Sequence, residues 1–451
     1  MDPDAPPLSP APSETRFSEP LSSLNSQATD YQHQSLDPLE EFDRPRCALK
    51  RLSHLHVLVG DGFKKGRYVI LRKLGHGSFG TVWLARDKKS KTFVALKILS
   101  SAATKKIHEG ESEEMMVVDR MIERQGQQDS QWLRRFGRFL ELFDHRTQDD
   151  VRHACIVMEP LAWDLYVLEQ VTPARGFSLR TCKSIVRQIL VGLDGLHQEM
   201  NTVYADLKPN NILIRPEQME SIIRAELLDN PTLTKRNRPH YLPKGLIRYW
   251  SQPIPPWLDV SKHIVGDIGL EVALVDLGHA RQAGEVFPEK TQHLCYRAPE
   301  VYLGYPCTGA LDIWALACTT TMCSRTCDQT FWFVTGGTLF EDRLGFIEPE
   351  TQLANIVEVL GTNIPIEMKN RSQHWDRYID EEGGYLHGNS GDFIYEGQKG
   401  TLKGAIVHFM PDLPSAEVNG WTAFLSRCLQ IQPENRPTAA ELLQDPWISE
   451  D

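Results

Sequence analysis

Asp206, Lys208 and Asn211 stand at offsets of 0, +2 and +5 in the stretch Tyr204-Ala205-Asp206-Leu207-Lys208-Pro209-Asn210-Asn211-Ile212-Leu213. A carboxylate, an ammonium and a carboxamide in one short loop suit phosphoryl transfer. Asp206 can accept a hydroxyl proton, Lys208 can face a γ-phosphate, and Asn211 can hold Mg²⁺. Asp, Lys, Pro and Asn are also common turn residues, so a plain surface turn is the competing reading. The flanking sequence decides between them. An apolar run from Ile185 to Leu196 precedes the loop and Ile212-Leu213-Ile214 follows it, so buried elements hold it at both ends.

Those elements begin with strands. Tyr68 to Leu71, Thr81 to Ala85 and Thr92 to Leu99 are β-branched and aromatic, bounded by Gly or charged turns. The first two enclose Leu74-Gly75-His76-Gly77-Ser78-Phe79-Gly80-Thr81-Val82, a GxGxxGxV loop whose bare backbone N–H groups can approach phosphates. A dinucleotide-binding turn is the rival, but that turn leads into a helix, and here Thr81-Val82-Trp83-Leu84 continues as strand. Val94-Ala95-Leu96-Lys97 follows. Strand alternation puts Ala95 and Lys97 on one face, where Ala95 can floor an adenine beside Val82 and Lys97 can reach the α- and β-phosphates. A helix is expected over Ile107 to Glu123, with one of its glutamates pairing with Lys97. Glu114 is preferred because Met115 and Val118 would bury that part, with Glu111 and Glu113 as alternatives.

Cys155 to Leu161 reads as a buried strand passing into a connector. Pro160 cannot donate a hydrogen bond, but the Glu159 carbonyl and the Leu161 N–H match the acceptor and donor of an adenine edge. Ser178 to Glu199 is a core helix, with Cys182, Ile185, Ile189, Leu193 and Leu196 recurring every three to four residues. Residues 215 to 270 are Pro-rich and read as an insert or extended loop. Its basic cluster at Lys235, Arg236 and Arg238 is either an import signal or a solvated linker. Glu271 to Gly278 is then a strand ending in Asp-Leu-Gly, with Asp276 placed to chelate Mg²⁺ opposite Asn211. Glu300 and Arg436 are the natural partners for a buried ion pair.

The totals agree with this outline. A chain of 451 residues exceeds one ordinary domain, and 41% apolar with 24% charged residues is globular composition. Residues 1 to about 50 have the Pro-, Ser- and acid-rich composition of a disordered tail, and structure is expected to begin near Gly66-Arg67-Tyr68. No apolar run reaches the roughly 20 residues of a membrane helix, and no signal pattern opens the chain, so an intracellular protein is expected. Nine cysteines without a CxxC pair, mostly in apolar runs, suggest reduced core thiols. A net charge of −11 disfavours direct nucleic-acid binding and is compatible with basic protein substrates.

In order from about residue 68 to 448, these landmarks resemble a eukaryotic protein kinase, and the residue roles above are those of that family. The closer resemblance is to the serine/arginine-rich protein kinases (SRPK family, CMGC group). It is carried by Gly66 to Asp87, by the Asp206 to Asn211 loop, by Val275-Asp276-Leu277-Gly278-His279-Ala280, and by the insert between Asn211 and Asp276. The resemblance implies a bilobal α+β fold. It divides the chain into a tail over 1–60, a small β-rich lobe and hinge over 61–161, and a mostly helical lobe over 162–451. It further implies Leu213 among the nucleotide-lining residues, ATP and Mg²⁺ as cosubstrates, and transfer to serines of basic Arg-Ser-rich splicing proteins. A monomer acting in cytoplasm and nucleus, with no membrane partner, is the corresponding expectation. LAMMER- or DYRK-like dual specificity, sharing Tyr296-Arg297-Ala298-Pro299-Glu300, is the alternative enzyme, and a catalytically impaired nucleotide-binding scaffold the alternative class.

Three departures stand out. Ala205 occupies the place of the usual Arg that receives an activation-segment phosphate, which predicts activity without that phosphorylation. Tyr204 replaces the usual His. Cys323 to Trp332 interrupts a helix that should run on into Val334-Thr335-Gly336-Gly337, with translated intron as one explanation. The stretch 342–404 resembles the family's insert, and Asp376, Asp380, Glu381 and Glu382 there could bind arginines at ~0.2–1 kcal/mol per exposed pair.

Overall fold

The computed structural model describes residues 53–127, 130–171, 179–233, 249–256, 270–320, 349–380, 402–409 and 413–449. The basic cluster at 235–238, the segment 323–332, Glu381, Glu382 and the tail to residue 52 lie outside these. The β-branched runs form one antiparallel sheet from β1 (Gly62–Phe63), β2 (Tyr68–His76), β3 (Gly80–Asp87), β4 (Thr92–Leu99), β5 (Phe139–Arg146) and β6 (Arg152–Met158). Its order is β1-β2-β3-β4-β6-β5. Trp83, Ala85, Val94, Leu96 and Ile98 alternate onto one face and pack with Val57, Phe63, Tyr68 and Ile70. The sheet core therefore recruits chain upstream of Gly66. Val57 is buried and the Gly60 N–H donates to the Ile70 carbonyl at 2.9 Å, so order begins before the expected boundary at residue 61.

Instead of one helix over 107–123 there are two, α1 (Ser101–His108) and α2 (Glu114–Gln127). The periodicity of the acidic run carries across the gap, but Gly110 adopts φ +77 and ends the first helix. α2 then starts on Glu114 itself, with Val117, Val118 and Met121 buried.

The helical lobe contains α3 (Leu165–Val171) and α4 (Leu179–Met200), which buries Cys182, Ile185, Ile189, Leu193 and Leu196 as the periodicity requires. Two short ladders carry the catalytic loop. β7 (Thr202–Val203) pairs with β10 (Arg281–Gln282), and β8 (Ile212–Ile214) pairs with β9 (Val272–Leu274). The 215–270 region is not simply an extended loop. It opens with α5 (Met219–Asp229), whose Ile222 and Ile223 join Ile254 against Leu84 and Phe93. Those two side chains share the sheet face of Ala95 and Lys97. β2 is bulged at Leu71 and Leu74, and both pack against this cluster. Arg72, fully buried, donates to Glu226 at 2.8 Å. Beyond the loop come α6 (Pro299–Leu303), α7 (Ala310–Thr320), α8 (Pro349–Leu360), α9 (Trp375–Tyr378), α10 (Leu402–Phe409) and α11 (Ser415–Cys428). α7 is buried from Leu311 to Thr320 and forms the centre of the lobe. No helix among the described residues is long and apolar enough to cross a membrane.

Candidate active site

β4 delivers Lys97 opposite Val82 of β3, with Ala95 two residues back on the same face. The Lys97 Nζ lies 2.5 Å from Glu114 Oε1 and 2.9 Å from Asp276 Oδ1. Of the three candidate glutamates, Glu114 is thus the one at the lysine; Glu111 is exposed and sits 3.9 Å from Lys106. Burial alone would discharge Lys97, but the carboxylates of Asp276 and Glu114 outweigh it and push its pKa up. The same charge works in reverse on Asp276. Burial raises its carboxyl, yet Lys97 and the Gly278 N–H, at 3.2 Å, hold it down at about 2. Asp276 also takes the left-handed backbone region, φ +58, which turns the chain sharply at the end of the strand.

Asp206 is 5% exposed, and its carboxylate is fixed from two sides. Lys208 Nζ approaches its oxygens at 2.8 and 3.0 Å, and Asn211 Nδ2 donates to both its carbonyl and its Oδ2 at 2.8 Å. The loop is hung from below by a residue to which the sequence assigns no role. Asp312 of α7, wholly buried, accepts from the Tyr204 and Ala205 N–H groups and pairs with His197 Nε2, each at 2.8 Å. Ala205 is held there at φ +64. A lone acid in an otherwise apolar, buried helix was the available signal, because an unpaired buried carboxylate is too costly to persist. The Tyr204 hydroxyl donates to the Val275 carbonyl, tying the loop to the Asp-Leu-Gly turn. Burial, then the charges of Asp206, Asp276 and Asp312, raise that phenol far above its ordinary pKa and keep it a donor.

On the nucleotide side, Gly77 N–H closes onto the Gly80 carbonyl at 2.9 Å, and a Cβ on Gly80 would lie 2.4 Å from the Ile98 carbonyl oxygen. Leu74, Gly75 and His76 end β2, Ser78 and Phe79 stand in the turn, and Thr81 with Val82 follows Gly80 at the start of β3. Glu159 donates its N–H to the Arg138 carbonyl at 2.9 Å, while its carboxylate accepts from the Arg138 N–H at 2.8 Å and from Arg215 at 2.5 Å. Arg215 also donates to the Phe136 carbonyl, and so staples the connector to both lobes. The Glu159 carbonyl and Leu161 N–H have no hydrogen-bond partner among the described residues, which leaves them to a ligand edge. Leu213 pairs with Ala273 and bridges to Asp164, forming the opposing floor.

The activation segment is held by an amide and a guanidinium bonded to its backbone. Gln292, at φ +61, accepts from the Ala298 N–H at 3.0 Å, and Arg297 donates to the Thr291 and Gln292 carbonyls at 3.0 Å. Below it, Arg436 grips Glu300 through two bonds of 2.6 and 2.7 Å with both side chains fully buried.

The family model for the protein kinase domain matches residues 68–229 and 264–448. "Serine/threonine-protein kinase SRPK" of Physarum polycephalum is 28% identical over 406 residues, covering 87% of this chain and 88% of that protein. "Protein kinase dsk1" of Schizosaccharomyces pombe is 26% identical over 475 residues, covering 87% of this chain and 82% of its own. A crystal structure of a kinase domain, 21% identical, superposes with a TM-score of 0.57 over 88% of this chain and all of its own, in agreement with the bilobal α+β fold. With a family model matched over most of its length and the ion-paired lysine, the Asp-Leu-Gly aspartate and the carboxylate loop brought to one cleft, the chain belongs to the protein kinase family.

Proposed function

We propose that the chain is a serine/threonine protein kinase that transfers the γ-phosphate of ATP, with Mg²⁺, to hydroxyls in Arg-Ser-rich splicing proteins. The observation that carries the reading is Lys97 drawn between Glu114 and Asp276, beside an Asp206 already oriented by Lys208 and Asn211. The name of the Physarum polycephalum relative, serine/threonine-protein kinase SRPK, supports the serine/threonine reading and, with the SRPK resemblance of the sequence, the substrate class.

Protein kinase domains use ATP with a divalent metal, and the donors here suit one. The Asp276 side chain is 39% exposed, and Asn211 spends its N–H donors on Asp206, leaving its amide oxygen. Asp276 and Asn211 would hold Mg²⁺ through hard oxygen atoms, and the metal would neutralise charge on the phosphates. The chain's own groups do the rest. Lys97, fixed by Glu114, aligns the α- and β-phosphates, and the backbone of the glycine loop covers them. Asp206 orients the serine hydroxyl. As the bond from serine Oγ to the γ-phosphorus forms and the bond to the β,γ-bridging oxygen breaks, the hydroxyl proton passes to Asp206, and Lys208 offsets charge on the transferring group. Asp376, exposed on α9 without a partner among the described residues, is available to substrate arginines.

A radiolabelled-ATP assay on the unphosphorylated recombinant protein tests this, using an Arg-Ser repeat peptide beside a Lys-Ser control. Labelling confined to the Arg-Ser peptide is expected. Labelling of neither peptide, with ATP still bound, would replace the proposal with a scaffold.

A further inference from the structure

Phe79 is the aromatic residue at the tip of the glycine-rich loop, and 41% of it is exposed. A single exposed Phe needs no explanation. This one has a partner: its ring meets the His279 imidazole edge-on, with centroids 5.5 Å apart and planes at 67°. The two belong to opposite walls of the cleft. Phe79 hangs from the sheet, where its carbonyl accepts from the Ser100 N–H at 2.7 Å and the neighbouring Gly80 is pressed against Ile98. The loop backbone is therefore anchored on the sheet side, and only the ring reaches across. His279 directly follows Asp276-Leu277-Gly278, whose turn is fixed by the bond from the Gly278 N–H to Asp276. The ring pair thus closes the mouth of the cleft at the end where Asp276 and Lys97 meet, while the ion pairs of Lys97 join the walls deeper inside.

We propose that His279 is a positioning residue that holds the glycine-rich loop shut over bound nucleotide through Phe79, and so governs how fast nucleotide leaves. The proposal rests on the kinase reading for the identity of the nucleotide. An edge-to-face aromatic pair shifts a closed–open equilibrium by a factor of about 2 to 12. Release of a nucleotide that can leave only from the open loop should change by that factor when the pair is lost.

The test is stopped-flow displacement of the fluorescent nucleotide mant-ADP from the full-length chain by excess ATP. Phe79→Ala and His279→Ala should each raise the release rate about 2- to 12-fold, and the double variant should release no faster than the faster single one. His279→Phe should restore slow release, whereas His279→Asn should not, because it supplies polar atoms but no ring. Multiplying effects in the double variant, unchanged release in both single variants, or rescue by asparagine would each overturn the clasp. The readout involves no phosphoryl transfer. Failure of the unaltered chain to label any peptide would therefore count against the proposed function alone, while failure to bind mant-ADP at all would remove both.

Discussion

Replacing Arg72 by Ala should undock α5 without unfolding the domain. Arg72 is fully buried on β2, and its guanidinium serves Glu226 Oε1 at 2.8 Å, the Glu226 carbonyl at 3.3 Å and the Asn230 carbonyl. Glu226, whose side chain is 8% exposed, has one other side-chain partner, the Asn230 amide at 3.0 Å. Removing the arginine leaves the buried Glu226 carboxylate with the Asn230 amide alone and strands the Asn230 carbonyl, while the Glu226 carbonyl keeps the Asn230 N–H at 3.0 Å, a loss of about 3–5 kcal/mol. Against this, burial of Ile222, Ile223 and Ile254 contributes roughly 1.5–3 kcal/mol each before the cost of ordering the segment. The lost pair is comparable to what remains, so α5 should open locally. Native-state hydrogen exchange should show protection over 219–229 falling by about two to four orders of magnitude, with β5, β6 and α7 unchanged. Glu226→Gln, which keeps an acceptor, should cost far less, and the double change Arg72→Met with Glu226→Leu should recover most of the loss. Unchanged protection over α5 in Arg72→Ala would show that the pair carries no net energy. Uniform loss across both lobes would show that Arg72 is a general core residue and not an anchor.

Asp206→Ala should lower turnover by orders of magnitude while mant-ATP affinity stays within a few-fold; equal loss of both would make Asp206 a structural acid. Asp312→Ala leaves the buried N–H groups of Tyr204 and Ala205 unpaired, at about 1–3 kcal/mol each, and should cut peptide phosphorylation at least tenfold with little change in nucleotide affinity. Burial lifts the Asp164 carboxyl from 3.8 to about 6, against the pull of the Val167 and Tyr166 N–H groups. The folded chain therefore keeps a proton between those values that the unfolded chain has lost, so stability falls as pH rises through that window. Asp164→Asn should raise Tm by a few degrees at pH 8 and barely at pH 4; equal shifts at both would refute the assignment. For Asp276 the sign is opposite. Its depressed value, about 2, means the Lys97 pair contributes fully above 3.8 and is lost only as pH falls toward 2, so mant-ATP binding should be flat from pH 5 to 8 as far as this pair is concerned.

Local chemistry was the legible part of this chain. The three strands, the core helix after residue 178 and the Glu300–Arg436 pair follow from alternation, periodicity and charge, because each is decided by residues near in sequence or by an obvious need for a partner. What sequence reading lost depends on distant contacts. α5 looked like part of a Pro-rich insert since its helix is fixed by packing on Leu84 and Phe93, more than 120 residues earlier. Arg72 lies just past the expected strand Tyr68 to Leu71, and its partner Glu226 is 154 residues away. The helix over 107–123 divided because one glycine turned left-handed inside an acidic run that kept its period. Asp312 and Arg215 act on backbone groups, and backbone groups carry no signature of which side chain will meet them.

The buried cysteines give the molecule a property of another kind. Burial pushes the thiols of Cys155, Cys307, Cys318 and Cys428 far above their ordinary pKa, so little thiolate, the species that alkylating reagents attack, exists while the fold is closed. Cys155 lies in the sheet and the other three in the helical lobe. A short pulse of alkylating reagent, read peptide by peptide in a mass spectrometer, therefore times the opening of each lobe separately, with no label introduced into the chain.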